Sequence, residues 1–246
     1  SLIKRNKIQN GYLVINNKKI LAIIPARGGS KRLKRKNTLD LSGRPLIAWT
    51  IEAALKSKYI DRVVVSTDDS QIANVSKKYG ADVPCMRPDN LATDKSASID
   101  TVLHMIEYLE KNGEFYSFIV LLQPTSPLRT TKNINESIEL LQDRKCDAVI
   151  SVCKAEHSPL WCNIIPLDSD LSNFLDSSVL NKRSQDLAQY YRLNGAIFLC
   201  NIDRLKRENT FFLKSDSVAY KMDQSRSVDI DNQVDLDLAH FWMGKK

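Results

Sequence analysis

The stretch from Lys19 to Lys36 constrains the fold more than any other. Ile20-Leu21-Ala22-Ile23-Ile24 is continuously apolar, too short for an ordinary helix and without the alternation of a half-exposed strand. It reads as a strand covered on both faces. The run breaks directly into Pro25-Ala26-Arg27-Gly28-Gly29-Ser30-Lys31, which holds two of the chain's eight glycines. Buried-strand patterns recur at Arg62–Ser66, Phe118–Leu122 and Asp147–Val152. Helical patterns lie between them: Pro45–Lys58 with proline in the first turn, Asp69–Tyr79 ended by Gly80, a helix capped by Ser96 and running to Asn112, and Thr131–Gln142. Strand and helix alternating at this spacing predict right-handed βαβ units: an α/β, doubly wound parallel sheet with helices on both sides.

The pattern lapses twice. Residues 1–18 are polar and aperiodic and read as an N-terminal extension. Residues 155–193 are polar with scattered apolar positions and read as an insertion in a core made of 19–154 and 194–246. Regularity returns at Asn194–Leu199, Ser217–Met222 and a last helix over Val234–Trp242. The longest apolar runs, Ile20–Pro25 and Phe118–Leu122, fall far short of the ~18 residues of a membrane span. Ser1–Asn6 has no apolar signal region, and the five cysteines form no Cys-x-x-Cys pair; both features predict a cytoplasmic protein with reduced thiols. With only three histidines, none paired at ligand spacing, a structural zinc site is not expected. The net charge of +7 invites a nucleic-acid reading, yet five of the seven residues Ser30–Lys36 are basic. A focused cluster suits a polyphosphate as well as a nucleic-acid backbone.

Open parallel sheets bind ligands at the carboxyl ends of their strands. At the first such end, Gly28 and Gly29 let backbone N–H groups approach a phosphate, and Arg27, Lys31 and Lys36 add charge. The alternative is a surface turn with a solvated basic run. Neither the Walker A nor the Gly-x-Gly-x-x-Gly spacing is present. After the Phe118–Leu122 strand, Gln123-Pro124-Thr125-Ser126-Pro127-Leu128-Arg129 presents an amide, two hydroxyls and a guanidinium on a path fixed by two prolines, or else is a rigid turn capping the next helix. In Ser227-Val228-Asp229-Ile230-Asp231, side chains two apart share a face of an extended segment, so Asp229 and Asp231 could hold one Mg²⁺. From spacing alone, Asp231 capping the following helix is the better reading. Arg87-Pro88 and Ser98 border a loop that could wall a base pocket.

Taken together these segments resemble the cytidylyltransferases that activate nonulosonic acids, the CMP-N-acetylneuraminic acid (sialic acid) synthetases with their legionaminic and pseudaminic relatives. The likeness covers residues 20–243. It rests on Ile24–Lys31 with Lys36-Asn37, Ser66-Thr67-Asp68, Arg87-Pro88 with Leu91-Ala92-Thr93-Asp94, Leu121–Arg129, Asn194-Gly195-Ala196-Ile197-Phe198 and Ser227–Asp231. The resemblance implies a Rossmann-like nucleotidyltransferase fold with a mostly parallel sheet. It places Arg27, Gly28, Ser30, Lys31, Lys36 and Asn37 on the triphosphate of CTP, and Arg87 and Ser98 on cytosine and ribose. It sets Gln123, Thr125 and Ser126 against the sugar acid, with Arg183 and Asn194 near its carboxylate and acyl chain. Asp229 and Asp231 would bind Mg²⁺, for which Mn²⁺ can substitute, and the insertion would build a homodimer, making Arg183 a candidate ligand in trans. Ala97, Leu193 and Ala188 depart from the family's usual residues, the last two near the acyl-sugar pocket.

The implied reaction is transfer of CMP from CTP to a nonulosonic acid, N-acetylneuraminic acid first and legionaminic or pseudaminic acid as alternatives, with Arg27, Lys31, Gln123, Asp229 and Asp231 as the catalytic set. The rival class is a nucleic-acid binder using the basic loop. It is disfavoured because such surfaces spread their charge and interleave aromatics, whereas this loop has none.

Overall fold

A computed structural model describes residues 8–9, 12–13, 18–94 and 96–245. The expected extension 1–18 therefore lies mostly outside the described residues; within it, Ile8–Gln9 and Tyr12–Leu13 pair as a short antiparallel ladder.

The first apolar run forms strand β1, Ile20–Pro25, and every residue from Ile20 to Ile24 is 1% exposed or less. Side chains of a strand alternate between faces, and both faces here are covered. Ile20, Ala22 and Ile24 pack with helices α1 (Leu46–Leu55), α2 (Ser70–Lys78) and α4 (Thr131–Arg144). Leu21 and Ile23 pack with α3 (Ser98–Lys111) and α5 (Ile202–Glu208) on the other side. The remaining strands are β2 (Arg62–Ser66), β3 (Phe118–Leu121), β4 (Ala148–Lys154), β5 (Tyr191–Asn201) and β6 (Ser217–Met222). They form a six-stranded sheet in the order β6-β4-β5-β3-β1-β2.

Five strands run parallel, as the βαβ alternation predicts, but β5 is antiparallel to both β3 and β4. The reason is local. Lys154 pairs with Tyr191, and the Ala155 N–H donates to the Tyr190 carbonyl at 2.9 Å, so the chain returns as a wide hairpin. A parallel return would need a crossover connection. The insertion therefore loops out over 155–190 through three short 3₁₀ turns, and Tyr191–Leu193 are already in the sheet. Reversal of β5 also brings its first half, with Asn194 and Gly195, to the carboxyl end of β3.

Three helix ends differ from expectation. Ser96 does not cap α3: its hydroxyl donates to the Asn90 carbonyl at 3.1 Å and meets the Thr93 hydroxyl at 2.8 Å, while Ala97 takes the cap position without a side-chain bond. Asp231 does not cap α6 (Gln233–Met243). Asn232 does, in a reciprocal box with Asp235. Pro45 stands just ahead of α1 at the N-cap rather than inside its first turn. A third apolar cluster joins Leu33, Leu128, Val228 and Ile230 to Leu236, Ala239 and Met243 of α6. It lies beneath the loops that leave β1 and β3.

Candidate active site

The loop after β1 is fixed by neighbours rather than by its own regularity. The Gly28 N–H donates to Asp68 Oδ1 at 3.0 Å, and Asn37 Nδ2 donates to the Arg27 carbonyl at 3.0 Å. A Cβ on Gly28 would lie 2.8 Å from Asp69 Oδ2 and 2.9 Å from Asp69 Cβ, so only glycine lets the Asp68–Asp69 turn close on the loop. Leu33, in the middle of the basic run, is buried in the α6 cluster. The run is thus an anchored loop, not a solvated turn.

Val228 and Ile230 are buried, while Asp229 and Asp231 point away from the core into one cavity, so the expectation of a shared face holds in the backbone pattern. The Ile230 N–H donates to the Thr125 carbonyl at 2.8 Å and ties this segment to the loop after β3. Lys36 Nζ donates to the Ile230 carbonyl at 2.8 Å and to Asp231 Oδ1 at 3.0 Å, and Arg32 adds a contact to Asp231 Oδ2 at 3.3 Å. Asp231 is therefore a partner of the basic loop. Asp229 is open to the cleft but walled by protein on its other sides. This partial desolvation raises its pKa, against a hydrogen bond from Thr125 that lowers it.

Gly195 has φ +70°, a backbone conformation that favours glycine. A Cβ there would sit 2.9 Å from Gln123 Oε1 and 3.4 Å from Asp229 Oδ2, so the bare backbone lets amide and carboxylate converge. Beneath them, Ser126 donates to the Asn194 carbonyl at 3.3 Å, and the Asn194 side chain bonds Ser151 at 2.6 Å and Ser227 at 2.9 Å. Arg129 is fully buried and, among the described residues, has no carboxylate partner. Its guanidinium donates to the carbonyls of Gln123 and Ala196 and to the Thr50 hydroxyl, and burial pulls its pKa down to about 9.

These elements enclose a cavity of about 380 Å³ at the carboxyl ends of β1 and β3. Of the residues expected from sequence, Arg27, Ser30, Lys36 and Asn37 line it from the basic loop, and Gln123, Thr125, Asp229 and Asp231 from the facing wall. Arg87 and Ser98 line it as well. Arg87 is buried, donates from Nε to the Ser66 hydroxyl at 3.1 Å, and has its pKa lowered by that burial. Gly28, Ser126 and Asn194 stand behind the lining as supports. Lys31 reaches the rim through an ion pair with Asp94, and Arg183 lies apart on the insertion, paired with Asp186 at 3.0 Å. The sequence reasoning gave no role to Thr93, Asp94 and Thr101, which also line the cavity. Asp94 belongs to the Leu91–Asp94 string, but its partners Arg27 and Lys31 lie more than sixty positions upstream, where no local signal points. A second cavity of about 470 Å³ opens on the other side of Asp229, bordered by Arg192, Gln224 and Trp242, with Glu156 bidentate on Arg192 at 2.9 and 2.7 Å.

Among the described residues no group of three or more His, Cys, Asp or Glu is placed to hold a metal alone. Asp229 and Asp231 do offer hard oxygen donors on one wall. That donor set fits an ion bound by one or two carboxylates whose remaining ligands are phosphate and water.

A family model described as "Cytidylyltransferase" matches residues 21–238. The chain belongs to the cytidylyltransferase family. As a cytidylyltransferase it is an enzyme of nucleotidyl transfer, and two of its relatives are informative. The CMP-N,N'-diacetyllegionaminic acid synthase of Legionella pneumophila is 39% identical over 223 residues, 88% of this chain and 93% of that protein. The N-acylneuraminate cytidylyltransferase of Escherichia coli O18:K1:H7 is 43% identical over 225 residues, 90% of this chain; the match spans 51% of that longer protein. The solved structure of CMP:2-keto-3-deoxy-manno-octonic acid synthetase complexed with CTP superposes with a TM-score of 0.68 over 92% of this chain and 99% of that one. At 19% identity it supports the fold alone. No helix among the described residues is long and apolar enough to cross a membrane.

Proposed function

We propose that this cytidylyltransferase moves CMP from CTP to a nonulosonic acid, N-acetylneuraminic acid first, releasing pyrophosphate. The observation that carries the reading is one cavity in which the loop cations Arg27 and Lys36 face Gln123, Asp229 and Asp231. The sugar's anomeric hydroxyl oxygen would bond to the α-phosphorus of CTP as the bond to the pyrophosphate oxygen breaks, and its proton passes to solvent. Such a transfer depends on positioning and charge neutralisation more than on covalent catalysis. Arg27, Lys31 and Lys36 meet the phosphates, with Gly28, Ser30 and Asn37 shaping the loop, and Arg87 and Ser98 border the nucleoside. Gln123 is an amide and no base, so its part is to orient the hydroxyl, beside Thr125. A hard divalent ion, Mg²⁺ or Mn²⁺, held by Asp229 and Asp231 with the phosphates, would supply Lewis-acid charge neutralisation. Asp229 borders both cavities, so an acceptor in the second reaches a phosphate in the first.

The exact sugar is the open choice within this reading. Legionaminic acid is the second candidate, favoured by the Legionella relative's near-full coverage in both directions; pseudaminic acid is the third. The insertion exposes Ile164, Ile165 and Leu167 at 88%, 62% and 108%. Apolar residues grouped this way support a contact with a second copy, which would bring Arg183 toward a partner's site. A cytoplasmic setting accords with five cysteines that are all unpaired. The test is pyrophosphate release with CTP and each of the three sugar acids, with kcat/KM for each. No release with any of them would refute the proposal, and salt-sensitive binding of random RNA without release would favour the nucleic-acid alternative.

A further inference from the structure

The phosphate end of the cavity is not a bare cluster of cations. Asp94 Oδ1 lies 2.7 Å from Arg27 Nη1, and its other oxygen pairs with Lys31 Nζ. One carboxylate thus bridges the two side chains assigned to the nucleotide phosphates, and Asp94 itself lines the cavity. Lys31 and Arg27 together hold the Asp94 pKa below the ordinary carboxylate range, so the bridge is anionic at neutral pH. The two oxygens of a carboxylate present the same fork to Arg and Lys that two oxygens of a phosphate would.

We infer that Asp94 is a built-in occupant of the phosphate site, which a polyphosphate must displace to reach Arg27 and Lys31. The inference rests on the assignment of these two residues to the phosphates. Three observations support it. The Asp94 side chain is 40% exposed and that of Lys31 80%, so the pairs are screened by water and exchangeable rather than locked. Backbone bonds hold the chain on both sides of Asp94 without the ion pairs: the Ala92 N–H donates to the Asp89 carbonyl at 3.0 Å before it, and the Ser96 N–H donates to the Thr93 carbonyl at 3.2 Å around it. Lys36, the third cation of the site, is paired separately with Asp231, so Asp94 governs only the Arg27–Lys31 half.

The consequence is a binding threshold set by charge. Displacing Asp94 costs any anion that takes this half of the site the same free energy, so affinities fall by a like factor; a ligand with several phosphate charges clears that threshold, whereas a monophosphate gains too little to do so. Asp94 can return to the two cations as pyrophosphate leaves.

The test is a calorimetric titration of inorganic tripolyphosphate, CTP and CMP into wild type, Asp94→Asn and Asp94→Glu, without divalent metal. Asp94→Asn should bind tripolyphosphate about three- to tenfold more tightly, the scale of two exposed ion pairs removed. CMP should gain at least as large a factor, and Asp94→Glu should stay near wild type because it keeps the charge. Unchanged or weaker tripolyphosphate binding by a folded Asp94→Asn protein would overturn the inference and make Asp94 a supporting partner of the two cations instead. Tripolyphosphate carries no base, so this outcome is independent of whether CTP and a sugar acid are the substrates; failure of pyrophosphate release would sink that reading alone.

Discussion

Gly195→Ala separates positioning from binding at this site. At φ +70° an alanine is strained by about 1–2 kcal/mol, and its Cβ would lie 2.9 Å from Gln123 Oε1 and 3.4 Å from Asp229 Oδ2. The first contact is well inside van der Waals distance, but the atom it meets is the end of a flexible side chain. Gln123 therefore retreats by several tenths of an ångström, and the fold survives. In a chain of this size, such a strain lowers the melting temperature by roughly 2–8 °C. The effect on rate should be larger. A misplacement of about 1 Å at reacting groups costs up to ~10² in rate, so kcat should fall by about ten- to a hundredfold. Neither the basic loop nor Arg87 is touched, so KM for CTP should stay near wild type. The assay is pyrophosphate release at saturating sugar acid, run well below the variant's melting temperature. A folded Gly195→Ala protein with native kcat would refute the argument that Gln123 and Asp229 converge there on the reacting atoms.

Other substitutions probe the remaining walls. Arg27→Ala should lower kcat/KM for CTP by about ten- to a hundredfold, the worth of a hydrogen bond to a charged group at ~1.5–3 kcal/mol, with melting unchanged because Arg27 is at the cavity surface. Asp229→Asn and Asp231→Asn should each reduce kcat by ~10²–10³, about 3–4 kcal/mol, and EDTA should abolish wild-type activity until Mg²⁺ or Mn²⁺ is restored. In the metal-free protein, burial raises the Asp229 pKa above the ordinary aspartate value of about 3.9. By linkage, the native state keeps that proton longer than the unfolded chain, so this group's contribution to stability falls as pH rises through the window between the two values. Asp229→Asn, measured without metal, should thus melt no lower than wild type at neutral pH. Replacing residues 156–189 with a short turn between Ala155 and Tyr190, whose backbones already bond at 2.9 Å, should give a folded, monomeric and inactive protein by light scattering and pyrophosphate release.

Much of the fold was readable because burial on both faces leaves an unbroken apolar run. Ile20–Ile24, Val63–Val65 and Phe118–Leu122 carry that mark, and all became buried strands. The direction of β5 was not readable, since strand polarity depends on the connection, and the connecting stretch has no period of its own. The cap of α3 failed for a similar reason: Ser96 looks like a cap locally, but its hydroxyl bonds a turn six residues back. In the site, residues whose chemistry is local, such as Arg27, Lys36 and the pair Asp229 and Asp231, do line one cavity. Contacts that depend on a distant partner left no local mark, and the Arg129 guanidinium, expected to face a ligand, is instead buried as a brace beneath the loop. Asp68 holds the Gly28 N–H from forty positions away, and Arg129 bonds the Ala196 carbonyl across sixty-seven. No window along the chain contains both ends of such a bond.

Those long-range bonds also explain how three separate loops hold one geometry. Asn194, Ser126, Ser151 and Ser227 are each 1% exposed or less, and they join the loop after β3, the first half of β5 and the segment before Asp229. An apolar core at this point would bury more area without fixing any angle. A hydrogen-bonded one leaves a donor or acceptor stranded, at ~1–3 kcal/mol each, whenever a loop shifts. Arg129 extends the same device. With no carboxylate among the described residues to satisfy it, its guanidinium depends on the Gln123 and Ala196 carbonyls and the Thr50 hydroxyl, so the loop carrying Gln123 cannot move without exposing the cost of a buried charge. The wall carrying Gln123 and Asp229 is therefore rigid because its support is polar. The basic loop opposite rests on exposed, exchangeable ion pairs with Asp94 and Asp231. In the proposed reaction, a substrate whose charge must be gathered and then released is well served by that division: a fixed wall beside Gln123 and Asp229 and a yielding one at the basic loop.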